Sequence, residues 1–111
     1  RIPKWVNFIT TGSDVQKNRF EVSVYGWGKM GRSLAIDHYI IPIGDNEIDD
    51  PNSPAWYTFK ESVLGADFKR DDGIHLQTIA NAIDSSYETE NVNTWWRSHP
   101  DEDKDRMYNV R

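Results

Sequence analysis

Three consecutive stretches decide the fold: Trp5-Val6-Asn7-Phe8-Ile9-Thr10-Thr11-Gly12-Ser13-Asp14, then Val15-Gln16-Lys17-Asn18-Arg19, then Phe20-Glu21-Val22-Ser23-Val24-Tyr25. The first is aromatic and β-branched, which suits a pleated strand, and it runs into an acid. The third alternates, so that Phe20, Val22 and Val24 fall on one face. The polar middle, with Asn18 in it, makes a hairpin connection. Two antiparallel strands are therefore expected, the first ending near Asp14.

Downstream, Gly26-Trp27-Gly28-Lys29-Met30-Gly31 interrupts the alternation, and Leu34 to Ile41 resumes it as a third, strongly β-branched strand. Pro42 to Pro51 is rich in Asp, Asn, Gly and Pro and reads as a loop. Ser53-Pro54 looks like an N-cap followed by the proline tolerated at the first helical position. Trp56, Phe59 and Val63 then form one apolar stripe, and Gly65 stands where a left-handed residue would end the helix. After the charged turn Lys69 to Gly73, the apolar run Ile74 to Ile83 suits a strand buried on both faces and ending at Asp84. Thr89 caps a second helix carrying Val92, Trp95 and Trp96, which His99-Pro100 stops. An acidic loop, Asp101 to Asp105, leads to a last strand over Arg106 to Arg111. The order is β-β-β-α-β-α-β, an α/β chain with a mixed sheet and no internal repeat.

With 111 residues the chain is of single-domain size. Its 37% hydrophobic and 28% charged residues fit a packed domain rather than a disordered one. No apolar run approaches the roughly 20 residues needed to cross a bilayer, so no membrane partner is expected. Arg1-Ile2-Pro3-Lys4 lacks both an initiator Met and a signal-peptide core, and the chain reads as a piece of something longer. The absence of cysteine excludes disulfides, thiolate metal sites and a Cys nucleophile, and accords with a cytoplasmic location. A net charge of -5 argues against a dominant basic field for nucleic acid.

Sites in α/β proteins collect beyond the carboxyl ends of parallel strands, and Asp14 and Asp84 occupy two such ends. If the first and fourth predicted strands are neighbours, both carboxylates reach one pocket. Hard divalent cations take such oxygen ligands, and a pair of Mg²⁺ or Mn²⁺ ions could then serve phosphodiester hydrolysis. An Asp after a strand is, however, more often a turn former or a helix cap. Asp37, inside the third strand, fits a solvent-facing or paired residue better than a ligand. His38, His75 and His99 lack metal-ligand spacing and support no mechanism led by histidine. The Gly26 to Gly31 stretch lacks the Gly-Lys-Ser/Thr of a phosphate loop and precedes a strand, so a hairpin loop is the simpler reading. Lys17, Arg19, Lys29, Arg32, Lys69 and Arg70 sit in predicted turns, where solubilising an acidic surface is a commoner role than contacting DNA. Trp95 and Trp96 suit a core better than a base-stacking platform.

Four blocks carry a family likeness: Thr11-Gly12-Ser13-Asp14-Val15-Gln16-Lys17-Asn18-Arg19-Phe20-Glu21-Val22, Tyr25-Gly26-Trp27-Gly28, Ile36-Asp37, and Ala82-Ile83-Asp84-Ser85-Ser86-Tyr87-Glu88-Thr89. Together they resemble the large terminase subunit of lambda-type phages, the GpA family, over about Thr11 to Trp96. The resemblance implies an RNase H-like mixed sheet, truncated at its C-terminal end, within a motor that cuts concatemeric viral DNA and packages it. It also implies that Asp14 and Asp84 are catalytic metal ligands for Mg²⁺ or Mn²⁺ in a two-metal endonuclease. A third acid would then come from a helix beyond the fifth predicted strand, and ATP would belong to a motor domain not contained in these residues. Implied partners are double-stranded viral DNA, the small terminase subunit and the portal or procapsid, in the host cell cytoplasm. Ser86 departs from the pattern by standing where the family usually has Gly.

A second reading keeps the same frame as a non-catalytic docking module of the packaging motor. A third, another RNase H-like enzyme such as a transposase or junction resolvase, fits the Gly-x-Asp-Val-Gln block less well.

Overall fold

A computed structural model of the chain describes residues 1–44, 47, 50, 52–84 and the backbone of 107–110. Its strands are β1 (Phe8–Val15), β2 (Arg19–Trp27), β3 (Ser33–Pro42), β4 (Asp67–Lys69), β5 (His75–Asp84) and β6 (Met107–Val110), with one α-helix, α1 (Pro54–Leu64), and a single 3-10 turn (Lys29–Gly31) among the described residues. The sheet runs β3-β2-β1-β5-β4, and β6 also pairs with β5. β1 and β6 lie parallel to β5, while β2 is antiparallel to β1, β3 to β2, and β4 to β5. The α/β class and the opening three-stranded meander are as the sequence reads. The second helix expected at Thr89 lies outside the described residues.

Alternation sorts the residues onto two faces. Ile9 and Val15 of β1, Phe20, Val22 and Val24 of β2, and Ile83 of β5 are all fully buried. They meet Trp56, Phe59 and Val63, the helix stripe expected from the spacing. Phe20 is the hub, 4.4 Å from Phe59 in a stacked arrangement and 5.0 Å from Trp56 edge-on, between ring centroids. Such aromatic pairs add about 0.5–1.5 kcal/mol beyond the area that they bury. The helix thus covers one face of the sheet, leaving the even-numbered side chains of β1 on the other.

Local expectations fail in four places, each for a physical reason. Gly65 ends α1 with φ -89°, not left-handed. A Cβ there would stand 2.7 Å from the Glu61 carbonyl oxygen, so close approach, not handedness, favours glycine. Ser53 is the N-cap residue, but its hydroxyl donates to the Glu47 carbonyl (2.8 Å) rather than capping the helix. Lys69, expected to open the charged turn, instead ends the short strand β4; pairing of Asp67–Lys69 with His75–Gln77 completes a hairpin around Arg70 to Ile74. β5 is not buried on both faces. Ile79 is 52% exposed because it falls at the register shift where Thr78 faces Ile9 and Ala80 faces Thr10.

The β4–β5 turn also anchors the start of the chain. The Asp71 amide donates to the Ile2 carbonyl (2.8 Å), and the Arg70 guanidinium donates to the Val6 carbonyl (3.0 Å).

Candidate metal centre

Asp14 lies within β1, one residue before its end, and is paired on both sides. Its partner in the parallel register of β5 is Asp84, and its partner in the antiparallel register of β2 is Glu21. Adjacent strands lie about 4.8 Å apart, so the two aspartates some 70 positions apart in sequence become neighbours at the carboxyl ends of parallel strands. A turn former or a helix cap would stand outside the strand; Asp14 does not. These acids line a cavity of about 380 Å³ that opens on the face away from α1.

The floor of that cavity is built from small side chains. Gly12 pairs with Ala82 on one side and Ser23 on the other, and Ser23 pairs with His38, so Ala82, Gly12, Ser23 and His38 form one row across four strands. A Cβ built on Gly12 meets nothing within 4 Å. Neither packing nor an unusual backbone angle calls for glycine here; its effect is to keep the floor low next to Asp14.

Beneath the floor, on the helix side, a polar clamp joins the two acid-bearing strands. The hydroxyls of Thr11 (2.6 Å) and Ser13 (2.9 Å) both donate to the Asn81 side-chain carbonyl. All three residues are buried, and a buried hydrogen bond is costly to leave unmade. In a strand a slip of one residue turns every side chain to the other face. The clamp therefore favours the register that sets Asp14 beside Asp84. Its remaining group, the Asn81 side-chain nitrogen, is buried without a hydrogen-bond partner among the described residues.

Around the acids, the Gln16 amide donates to Asp14 Oδ2 (2.5 Å), which fixes one oxygen of the carboxylate. Arg19 stands 3.3 Å from Glu21. His38 reaches Glu21 at 3.7 Å through Nε2 and shares a 3.0 Å hydrogen bond between Nδ1 and the Ser23 hydroxyl. No group of three or more His, Cys, Asp or Glu side chains among the described residues is gathered tightly enough to hold a metal ion. Two oxygen-bearing carboxylates on neighbouring strands are nonetheless hard donors of the type Mg²⁺ and Mn²⁺ take.

The cavity thus brings Asp14 and Asp84 together, as expected from neighbouring strands, and adds Glu21, which the sequence does not single out, and His38, whose spacing there argues against a role. Glu21 was within reach: a tight hairpin closing between Gln16 and Arg19 forces it opposite Asp14. His38 was not, because its register passes a shift in the β2–β3 pairing. Asp37 stays outside the cavity, accepting a hydrogen bond from the His38 amide (2.8 Å). His75 pairs with Asp67 at 2.5 Å, away from the acids, and His99 lies outside the described residues.

A family model described as terminase large subunit gpA, endonuclease domain, matches residues 1–110. The chain belongs to that family. Membership supports a nuclease role in phage DNA packaging, and a nuclease domain points in general to a divalent metal. No curated protein and no solved structure matches the chain. No described helix of this gpA endonuclease domain is long and apolar enough to cross a membrane.

Proposed function

We propose that the chain is the metal-dependent, RNase H-like endonuclease domain of a phage DNA-packaging terminase, cutting concatemeric double-stranded viral DNA in the host cytoplasm. The observation that carries this reading is the in-register pair Asp14 and Asp84 above a floor of glycine, alanine and serine. Asp14 and Asp84 would hold Mg²⁺ or Mn²⁺, with a further acid supplied from outside the described residues. When bound, two such ions activate a water and stabilise the departing oxygen of a phosphodiester.

The chain's own residues do the rest. Gln16 holds one Asp14 oxygen and so orients the other. The Asn81 clamp keeps β1 and β5 in register under the site. The low floor at Gly12 and Ala82 lets a sugar-phosphate backbone come close to the carboxylates. The small terminase subunit and the portal or procapsid would engage the parent protein, whose motor domain would use ATP.

Replacing Asp14 by Asn keeps size and hydrogen bonding while removing the charge that a metal needs. Losing a group that merely orients a ligand typically costs 10–100-fold in activity, so Asp14→Asn should lower DNA cleavage by the full natural protein at least about 100-fold. The same variant should abolish Mn²⁺-induced NMR broadening at the site. Cleavage retained at wild-type rate would sink the proposal. The net charge of -5 favours a second reading, a docking module of the packaging motor on the same frame, in which partner binding survives Asp14→Asn unchanged.

A further inference from the structure

The acids occupy one end of β1 and β2; the other end carries the opposite charge. There, Lys4, Trp5, Asn7, Lys29 and Arg32 line a cavity of about 450 Å³. The Arg32 guanidinium lies over the Trp5 ring, 3.9 Å from its centroid, and this cation–π contact holds it in place. The loop between β2 and β3 is tied back on itself. The Gly28 amide donates to the Arg32 carbonyl (2.8 Å) and the Arg32 amide to the Lys29 carbonyl (3.2 Å), while Met30 and Gly31 both take left-handed backbone angles. Lys29 and Arg32 are thus presented from a preformed turn.

Pairing and placement together set these cations apart. Arg1, Arg19 and Arg70 each have a carboxylate partner, in Asp71, Glu21 and Asp72. Lys4, Lys29 and Arg32 have none among the described residues, although the chain has 18 acids to 13 basic residues; Lys17 and Lys69 also lack one, but they do not line this cavity, whereas the other three are gathered around it. In an acidic chain, a preformed group of unpaired cations fits an anionic partner. Phe8, paired with Trp27, marks this end of β1, and Asp14 is six residues further along. At about 3.3 Å per residue the separation is about 20 Å, the rise of about six base pairs of duplex.

From this we infer that Lys4, Lys29 and Arg32 form a second DNA contact, a docking site for duplex phosphates about six base pairs away from the site of cleavage. It rests on the nuclease reading for its ligand but not on the metal site for its binding energy. Contacts of this sort position the duplex and carry no sequence information. They also offset an acidic net charge by concentrating positive charge where the backbone lies.

The test is the salt dependence of duplex binding by the full natural protein in metal-free buffer, read by fluorescence anisotropy. Each lost phosphate contact lowers the slope of log affinity against log salt by about 0.9, so Lys4→Ala/Lys29→Ala/Arg32→Ala should lose roughly two to three units. Lys29→Arg, which keeps the charge, should retain the slope and guards against a loss caused by misfolding. A slope unchanged in the triple variant overturns the proposal, as does weakened binding to polyglutamate with duplex binding intact, which would indicate an acidic protein partner. If Asp14→Asn stops cleavage while the triple variant binds normally, the docking site fails and the nuclease reading stands. If the triple variant loses the slope while Asp14→Asn still cuts, the reverse holds.

Discussion

The two faces of β1 obey different rules. Toward the helix, Ile9, Thr11, Ser13 and Val15 are buried, and what selects them is packing and hydrogen bonding. Toward the open side, Phe8, Thr10, Gly12 and Asp14 alternate with them and are exposed or half-buried. The same eight residues therefore specify a fold on one face and line an open cavity on the other. One strand can do both because side chains alternate strictly, so a change on one side need not disturb its neighbour. Thr11 and Ser13 bridge the division: buried with the core, they serve the register on which the open-face acids depend.

The largest effect expected from this division is on the buried side. Phe20 is fully buried against Trp56 and Phe59, and truncating such a side chain removes transfer energy and leaves a cavity. Phe20→Ala should destabilise folding by about 3–5 kcal/mol, measured by urea unfolding. Tyr25, on the open face and 39% exposed, should cost far less when changed to Ala. Equal losses at the two positions would break the comparison, because they would mean that the open face is also a core.

A smaller effect sharpens it by separating stability from activity. Gly12 has ordinary strand geometry and open space where a Cβ would go. Glycine inside a strand is less stable than alanine by roughly 0.5–1 kcal/mol, so Gly12→Ala should raise the unfolding free energy by about that amount. If the floor must stay low for a sugar-phosphate backbone, the same substitution should slow cleavage. A stabilised variant that cuts normally would show that Gly12 plays no part in admitting the substrate.

The buried face was also the legible one. Period-two alternation in Phe20-Glu21-Val22-Ser23-Val24 and the Trp56, Phe59, Val63 stripe are direct consequences of burial, and both appear where expected. The juxtaposition of Asp14 and Asp84 was legible only conditionally, since it needs β1 and β5 to be neighbours, a long-range pairing that local pattern does not fix. β4 escaped because three residues rich in charge carry too little pattern to mark a strand. The cationic end escaped for a different reason: in the sequence Lys4, Lys29 and Arg32 look like the other surface cations. Only in three dimensions do Arg1, Arg19 and Arg70 find carboxylates while these do not.

The smallest expected effect concerns a carboxylate that belongs to neither face. Asp72 sits in the β4–β5 turn, where the Arg70 guanidinium donates two hydrogen bonds of 2.8 Å to it. These bonds, with the Ile74 amide assisting, hold its pKa down to about 2 from an ordinary 3.8. The unfolded chain then takes up a proton before the folded one does. The stabilisation is fully present above the unfolded value and is lost as pH falls from about 4 to about 2. Asp72→Asn should therefore lower the urea midpoint modestly at pH 6 and cease to differ from wild type near pH 2. A gap between Asp72→Asn and wild type that stays constant down to pH 2 would show that Asp72 holds the turn without its charge, through contacts such as the 3.3 Å hydrogen bond it accepts from the Ile74 amide.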